Sequence, residues 1–292
     1  MRQAWRLLRS GYGTGCFNMA LDEYLLNGMV PSQGRPVLRF YRWSPAAVSC
    51  GFGQKLEREV DLGKCRRAGI DVVRRPTGGR TVLHWDELTY CLVWPVNEPG
   101  LDGMISDTYR RISECLAAGL RLFGLETELE KNQNRSERSK GRIASPPCFS
   151  STARWELKHR GRKLVGSAQR RIGQAVLQHG SLLLGPKHLL LAELLPESPT
   201  STDSVLARHL ERSSTWLQQC IDGEIHVDRL EDCLVEGFRH KLGIRLQEDS
   251  LTLHEQQAVQ AVIEKRNGVA ARSSQTEATQ MALPAEARGE YA

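Results

Sequence analysis

Two runs of strand-forming residues, "IDVVRR" (70–75) and "ELTYCLVWP" (87–95), enclose the segment "PTGGRTVLH" (76–84). No other feature constrains the fold as much. Strand formers on either side of a proline and paired glycines specify a sheet whose connecting loop lets the backbone approach a ligand closely. Such a loop exposes N–H groups to an anion or oxyanion, and Arg74, Arg75 and Arg80 add positive charge around Gly78 and Gly79. The segment matches neither the mononucleotide P-loop nor the dinucleotide glycine fingerprint. A hairpin turn with solvated arginines is the alternative.

The flanking sequence repeats the alternation. "PVLRFYRW" (36–43), "AAVSCGFG" (46–53) and "AVLQHGSLLL" (175–184) read as strands, and "RWELKHRGRKLVG" (154–166) as a strand, a turn and a strand. Residues 17–29 form a helix with Phe17, Ala20, Leu21, Tyr24 and Leu25 on one face and Asn18 as its cap; 57–69 reads as another. Over 106–124, Tyr109, Ile112, Leu116 and Leu120 line one face of a helix that Gly124 ends. From 186 onward the texture turns helical, with a short strand at 244–248 and a helix at 252–266. Strand clusters separated by helices specify an α+β (α/β) class with a central, mostly antiparallel or mixed sheet flanked by helices. The division expected is one domain over 1–250 (core about 33–248), a C-terminal helix at 251–266 and a disordered tail at 267–292. Residues 131–147, with five basic residues and one acid, read as a mobile loop.

No run of about 18 apolar residues exists to span a membrane, and the first residues lack the apolar region of a secretory signal, so the expected location is the cytoplasm. The eight cysteines show no CxxC and no Cys–His cluster at zinc spacing, so no metal site is expected. A formal charge of +6 favours an anionic partner, nucleic acid or acidic protein. Cys148, in "SPPCFSSTARWEL", follows the basic loop close to Arg142 and Arg154, and nearby cations favour a thiolate. Packing residue and nucleophile both remain open for it. Lys163, in "GRKLVGSAQRR", is either a surface lysine or one that meets an anion, and His84 either a structural residue or a base.

Four stretches in order, "FNMALDE", "RFYRWSPAAVSCGFGQ", "VVRRPTGGRTVLHWDELTY" and "GRKLVGSAQRR…VLQHGSLLL", resemble the motifs of the biotin/lipoate ligase–transferase superfamily over about residues 5–250. "PPCFSSTARWELKHRGRK", with a cysteine fifteen positions before the motif lysine, resembles the octanoyltransferases that load the glycine cleavage H protein in lipoate biosynthesis. The resemblance implies one ligase-like catalytic domain with a small helical C-terminal part. It implies Cys148 as the acyl-thioester nucleophile and Lys163 as the residue that lowers its pKa and stabilises acyl transfer. Arg74, Arg75, Gly78, Gly79, Arg80, His84 and Gly166 would shape the acyl site, with Val82 and Leu83 along the tail. The donor would be octanoyl-acyl carrier protein on its phosphopantetheine arm, and the acceptor a lipoyl-domain protein such as the H protein. ATP, metal, nucleic acid and membrane would have no part, and the chain would act as a monomer. Lys163 or His84 would take the acceptor lysine's proton. One departure stands out: relatives usually carry His-Asp where this chain has His84-Trp85-Asp86. The alternatives are an ATP-dependent lipoate ligase, an amidotransferase between lipoyl domains, and a basic nucleic-acid-binding regulator. The last lacks an N-terminal helix-turn-helix and an aromatic-interleaved basic stripe.

Overall fold

The computed structural model describes residues 4–29, 34–130, 155–196 and 203–266. Along the chain run β1 (Trp5–Gly13), α1 (Gly15–Gly28), β2 (Val37–Trp43), β3 (Ala47–Cys50), α2 (Leu56–Glu59), α3 (Leu62–Arg67), β4 (Asp71–Arg74), β5 (Val82–His84) and β6 (Glu87–Pro95). Then come α4 (Ile105–Phe123), β7 (Glu128–Leu129), β8 (Leu157–His159), β9 (Arg162–Lys163), β10 (Val165–Ile172) and β11 (Ala175–Leu183). A 3-10 helix (Pro186–Leu194), α5 (Asp203–Ser213), α6 (Leu217–Cys220), α7 (Val227–Leu242) and β12 (Leu246–Glu248) follow. The class is the mixed α/β one expected.

One six-stranded sheet, in the order β10-β11-β6-β2-β1-β12, organises the rest. It is antiparallel from β10 to β2 and parallel from β2 to β12. Period-two alternation divides β6 between two environments. Leu88, Tyr90, Leu92 and Trp94 enter the main core with Ile112 and Leu116 of α4 and Leu234 and Phe238 of α7. The intervening Thr89 turns the other way, towards a cleft that it lines with Met19 of α1 and Val82 of β5. Strand β5 belongs to a small sheet, β4-β3-β5.

Helices α4 and α7 touch backbone to backbone. A Cβ on Gly119 would lie 2.6 Å from Leu234 Cα, and one on Gly237 would lie 2.4 Å from the Cys115 carbonyl. Any side chain there would force the helices apart. The unit ending at Ser250 is followed by a second, beginning at Leu251. Its helix over 253–266 starts on a capping box, Thr252 Oγ1 accepting from Glu255 N and Glu255 Oε2 from Thr252 N. Among the described residues no helix is long and apolar enough to cross a membrane.

Several local expectations are corrected. Helix α1 is capped by Thr14, which accepts from Phe17 N, and Asn18 is buried on the inner face. The helix expected at 57–69 is two, because Val60 is extended and inserts its side chain beside Val48 and Cys65; Asp61 then caps α3. Residues 186–194 form a 3-10 helix. The nine-residue strand β1 had no β-branched run to announce it; parallel neighbours on both sides hold it. The stretches expected as loop and tail, 131–147 and 267–292, lie outside the described residues.

Gly237→Ala is expected to lower unfolding free energy by about 2 kcal/mol or more through overpacking. Gly28→Ala, with open space where its Cβ would stand, should be neutral or stabilising by up to about 1 kcal/mol. Equal urea midpoints for the two variants would contradict the close helix crossing.

Candidate active site

Two buried polar chains, each running from a carboxylate through a histidine, converge on the glycine loop. The first begins at Asp22 of α1, which has no solvent exposure. Its carboxylate accepts from Arg39 Nη1 at 2.7 Å, Tyr41 OH at 2.8 Å and His179 Nδ1 at 2.9 Å. Burial by itself would raise the Asp22 carboxyl, but the His179 hydrogen bond and the Arg39 charge outweigh it and hold it below its ordinary value. Burial likewise lowers the His179 imidazole, against the opposing pull of Asp22. A neutral His179 that donates from Nδ1 has an acceptor at Nε2, which takes the hydroxyl of Thr77 at 2.7 Å.

The second chain begins at Glu87. Its Oε1 accepts from His84 Nδ1 (2.9 Å), Thr89 Oγ1 (2.6 Å) and Ser181 Oγ (2.8 Å). His84 Nε2 lies 2.6 Å from Ser49 Oγ, which accepts from Arg75 Nη1 at 3.1 Å. Arg75 in turn donates to the Gly78 carbonyl from Nε and Nη2, and to the Arg80 carbonyl from Nη2 at 2.7 Å. Further braces reach the loop from outside. Arg170 Nη1 donates to the Pro76 carbonyl at 2.6 Å, and Phe52 N to that of Thr77 at 2.8 Å. Arg74 holds the neighbouring turn through the carbonyls of Phe52 and Gln54. There the two backbones press together: a Cβ on Gly51 would stand 2.1 Å from the Gly79 carbonyl, and Gly79 has φ +95°. Only glycine fits either position.

The cleft between the two sheets holds about 430 Å³ of empty space, open mouth included. Its inner end is formed by the buried Met19 and Tyr41, and Gly166, Ser167 and Ala168 of β10 lie at its partly exposed side. Of the residues proposed from sequence, Arg75, His84 and Gly166 line it, whereas Arg74, Gly78, Gly79 and Arg80 build the braced loop alongside. Val82 lines the cleft, but Leu83 points away into the cluster of Val48, Cys50 and Leu191, as strand alternation requires.

Lys163 is only 2% exposed, on the hairpin of β8 and β9, and its Nζ lies 2.8 Å from Oε1 of the equally buried Glu156. The surface-lysine alternative is thereby excluded. Its carbonyl accepts from Thr215 N, and the adjoining Ser214 bonds His188 Nε2 at 2.8 Å. Cys148 lies outside the described residues. The seven described cysteines form no disulfide, and burial pushes the thiols of Cys50, Cys65, Cys91 and Cys115 up, as packing residues require. Among the described residues no group of three or more His, Cys, Asp or Glu side chains could hold a metal ion.

Sequence reasoning missed Asp22, Ser49, Glu87, Glu156 and His179. For Asp22 a signal existed: Asn18 and Asp22, four apart, share a helix face with apolar neighbours. The others carry none at the level of spacing.

A cleft between two sheets, a glycine loop braced from both sides and a buried lysine on the hairpin that leads into β10 are the features by which the chain can be placed. Residues 14–239 match the lipoyl protein ligase A/B catalytic domain, and the chain belongs to that family. It is 37% identical over 261 residues to octanoyltransferase LipM of Clostridioides difficile (strain 630), covering 89% of this chain and 95% of that protein. It is 36% identical over 263 residues to octanoyltransferase LipM of Kyrpidia tusciae, covering 90% and 96%. Among solved structures, lipoate-protein ligase A bound with ATP shares the fold with a TM-score of 0.70, at 24% identity over 90% of this chain and 95% of that one.

Glu156→Ala takes the carboxylate from a buried ammonium and is expected to cost about 3 kcal/mol or more in urea unfolding; a loss under about 1 kcal/mol would show that the pair is surface-like. His188 supplies a pH test. Burial, against the Gly185 carbonyl, lowers its imidazole to about 4, while the unfolded value is about 6.5. Between the two the unfolded chain binds more protons, so this stability is complete above about pH 6.5 and falls by up to about 3 kcal/mol as the pH drops to about 4. His188→Gln should flatten that part of the stability curve; an unchanged slope would contradict the assignment.

Proposed function

We propose that the chain transfers an octanoyl group from octanoyl-acyl carrier protein to a lysine of a lipoyl-domain protein, the glycine cleavage H protein, through a thioester on Cys148. The observation that carries this reading is the match to octanoyltransferases along about nine-tenths of both chains. The Cys148 thiolate attacks the donor thioester carbonyl, and the phosphopantetheine thiol leaves. The acceptor amine then attacks the octanoyl-enzyme, and the amide forms as the Cys148 thiol departs. The two docking events follow one another, so the two partner proteins need never be bound together. In this scheme Lys163 stabilises the thiolate and the developing oxyanion, and the inner end of the cleft takes the acyl tail. Because the donor is already a thioester, ATP is not required and no metal takes part. A basic chain in the cytoplasm suits two acidic partners.

The fold is shared with a ligase bound with ATP, so the experiment separates transfer from ligation. Incubated with octanoyl-acyl carrier protein and no ATP, the wild type is expected to gain one hydroxylamine-labile octanoyl group by intact mass. Cys148→Ala should gain none, and Lys163→Ala should acylate about 100-fold more slowly. An unmodified wild type that octanoylates a lipoyl domain only when ATP is added would establish the ligase reading instead.

A further inference from the structure

We propose that Ser49 and Glu87 set the geometry of the glycine loop through His84, and that His84 is a positioning residue rather than the base for the acceptor amine. The inference rests on the acyl-transfer reading for its kinetics, but its geometric content stands apart from it.

Both ring nitrogens of His84 are engaged with buried groups. Glu87 Oε1, 2.9 Å from Nδ1, is an acceptor when ionised, so Nδ1 carries the hydrogen. Ser49 Oγ already receives Arg75 Nη1–H. Its own hydrogen therefore goes to Nε2, 2.6 Å away, the acceptor of a neutral ring. The chain has a single direction: Arg75 donates to Ser49, Ser49 to His84 and His84 to Glu87. A cation stands at one end and a carboxylate at the other, so each bond polarises the next.

A general base needs a lone pair within reach of the substrate proton. The only lone pair on this imidazole is taken by Ser49, a residue with no solvent exposure. The ring cannot swing free, because it is stacked on Trp43 with centroids 4.1 Å apart and planes at 12°. Trp43 is itself fixed, its Nε1 donating to Thr89 Oγ1 at 2.7 Å and Thr89 donating to Glu87. A proton accepted at Nε2 would break the chain that the ring completes.

What the chain delivers is the orientation of Arg75. Nη1 is held by the carbonyl and hydroxyl of Ser49 at 3.0 and 3.1 Å, which fixes the guanidinium plane. A planar fork so fixed leaves Nε and Nη2 one place to point, the Gly78 and Arg80 carbonyls. Glu87, in β6, thereby sets the conformation of loop peptides it never touches.

The two roles for His84 part company in a pair of variants. Gln places an acceptor oxygen near the position of Nε2 and can still receive the Ser49 hydroxyl. Asn places a donor near Nδ1 and cannot. Neither side chain accepts a proton. As positioning predicts, His84→Asn and Ser49→Ala should each raise the KM for octanoyl-acyl carrier protein about tenfold or more, and His84→Gln, which keeps the Ser49 hydrogen bond, should raise it several-fold less than either while losing less than about tenfold in kcat. The double variant Ser49→Ala/His84→Asn should be little worse than either single one, because both cut the same chain. A base would give the opposite pattern: His84→Gln and His84→Asn both losing about 100-fold or more in kcat with KM unmoved, and Ser49→Ala behaving as wild type. That result overturns the proposal. Hydrogen exchange of the Phe52 amide, which donates to the Thr77 carbonyl of the loop, about tenfold faster in Ser49→Ala, reads the loop without any acyl substrate; unchanged protection in that folded variant also overturns it. If the wild type transfers no octanoyl group, the acyl-transfer reading fails, and amide exchange still decides whether the chain governs the loop.

Discussion

The carboxylate of Asp22, buried without contact to water, is the constraint on which the site depends. An ionised group in that position is tolerable only with a countercharge and a full set of donors. The fold meets the condition from three places remote in sequence: Arg39 and Tyr41 on β2 and His179 on β11. The first helix is thus tied to the large sheet through hydrogen bonds that no local register could supply. Arg39 is in turn held by Asn18, one helical turn before Asp22, and by Ser10 on β1. Helix α1 and the first two strands form one polar assembly at this point, and its outermost member, His179, passes the constraint on to Thr77.

Fastening the glycine loop from two sides has a chemical consequence. The carbonyls of Pro76, Thr77, Gly78 and Arg80 all accept from protein donors. The loop therefore does not rearrange freely when a substrate arrives, and groups that need not reorganise stabilise developing charge more effectively than mobile ones. Arginines beside a glycine loop suggest an anionic ligand, but these mostly address the backbone. Arg74 and Arg75 act first as scaffolding, and positive charge near the site is a by-product of that use.

The sequence made some of this legible and concealed the rest for physical reasons. Helix α4 was plain because its apolar face repeats every third or fourth residue. The loop was plain because paired glycines between strand formers have few other uses. Family resemblance carried Cys148 and Lys163; spacing by itself left both open, and Cys148 remains a matter of sequence. Glu156 and Ser49 stayed hidden because their roles come from strand pairing across 7 and 35 positions, fixed only when β8 meets β9 and β3 meets β5, and Glu87 because its role comes from the turn that follows His84. Leu83 misled because a run of two apolar residues in a strand sends them to opposite faces. Val60 did so because burial of its side chain outweighed the helical tendency on both sides.

Trp85 stands in a turn that backbone hydrogen bonds hold in a strained form. It separates His84 from Asp86, and the chain turns there with Asp86 at φ 52°, a left-handed conformation costing about 1 kcal/mol in an ordinary L residue. The Asp86 carbonyl compensates by accepting from both Leu184 N and Gly185 N, at 2.9 and 3.1 Å, which pins the turn to the end of β11. The Trp85 ring is covered by Lys187, 4.6 Å from its centre. The turn places Glu87, three residues after His84, opposite the imidazole. The carboxylate hydrogen-bonded to His84 is that of Glu87, 2.9 Å from Nδ1, and the turn at Asp86 is what brings it there.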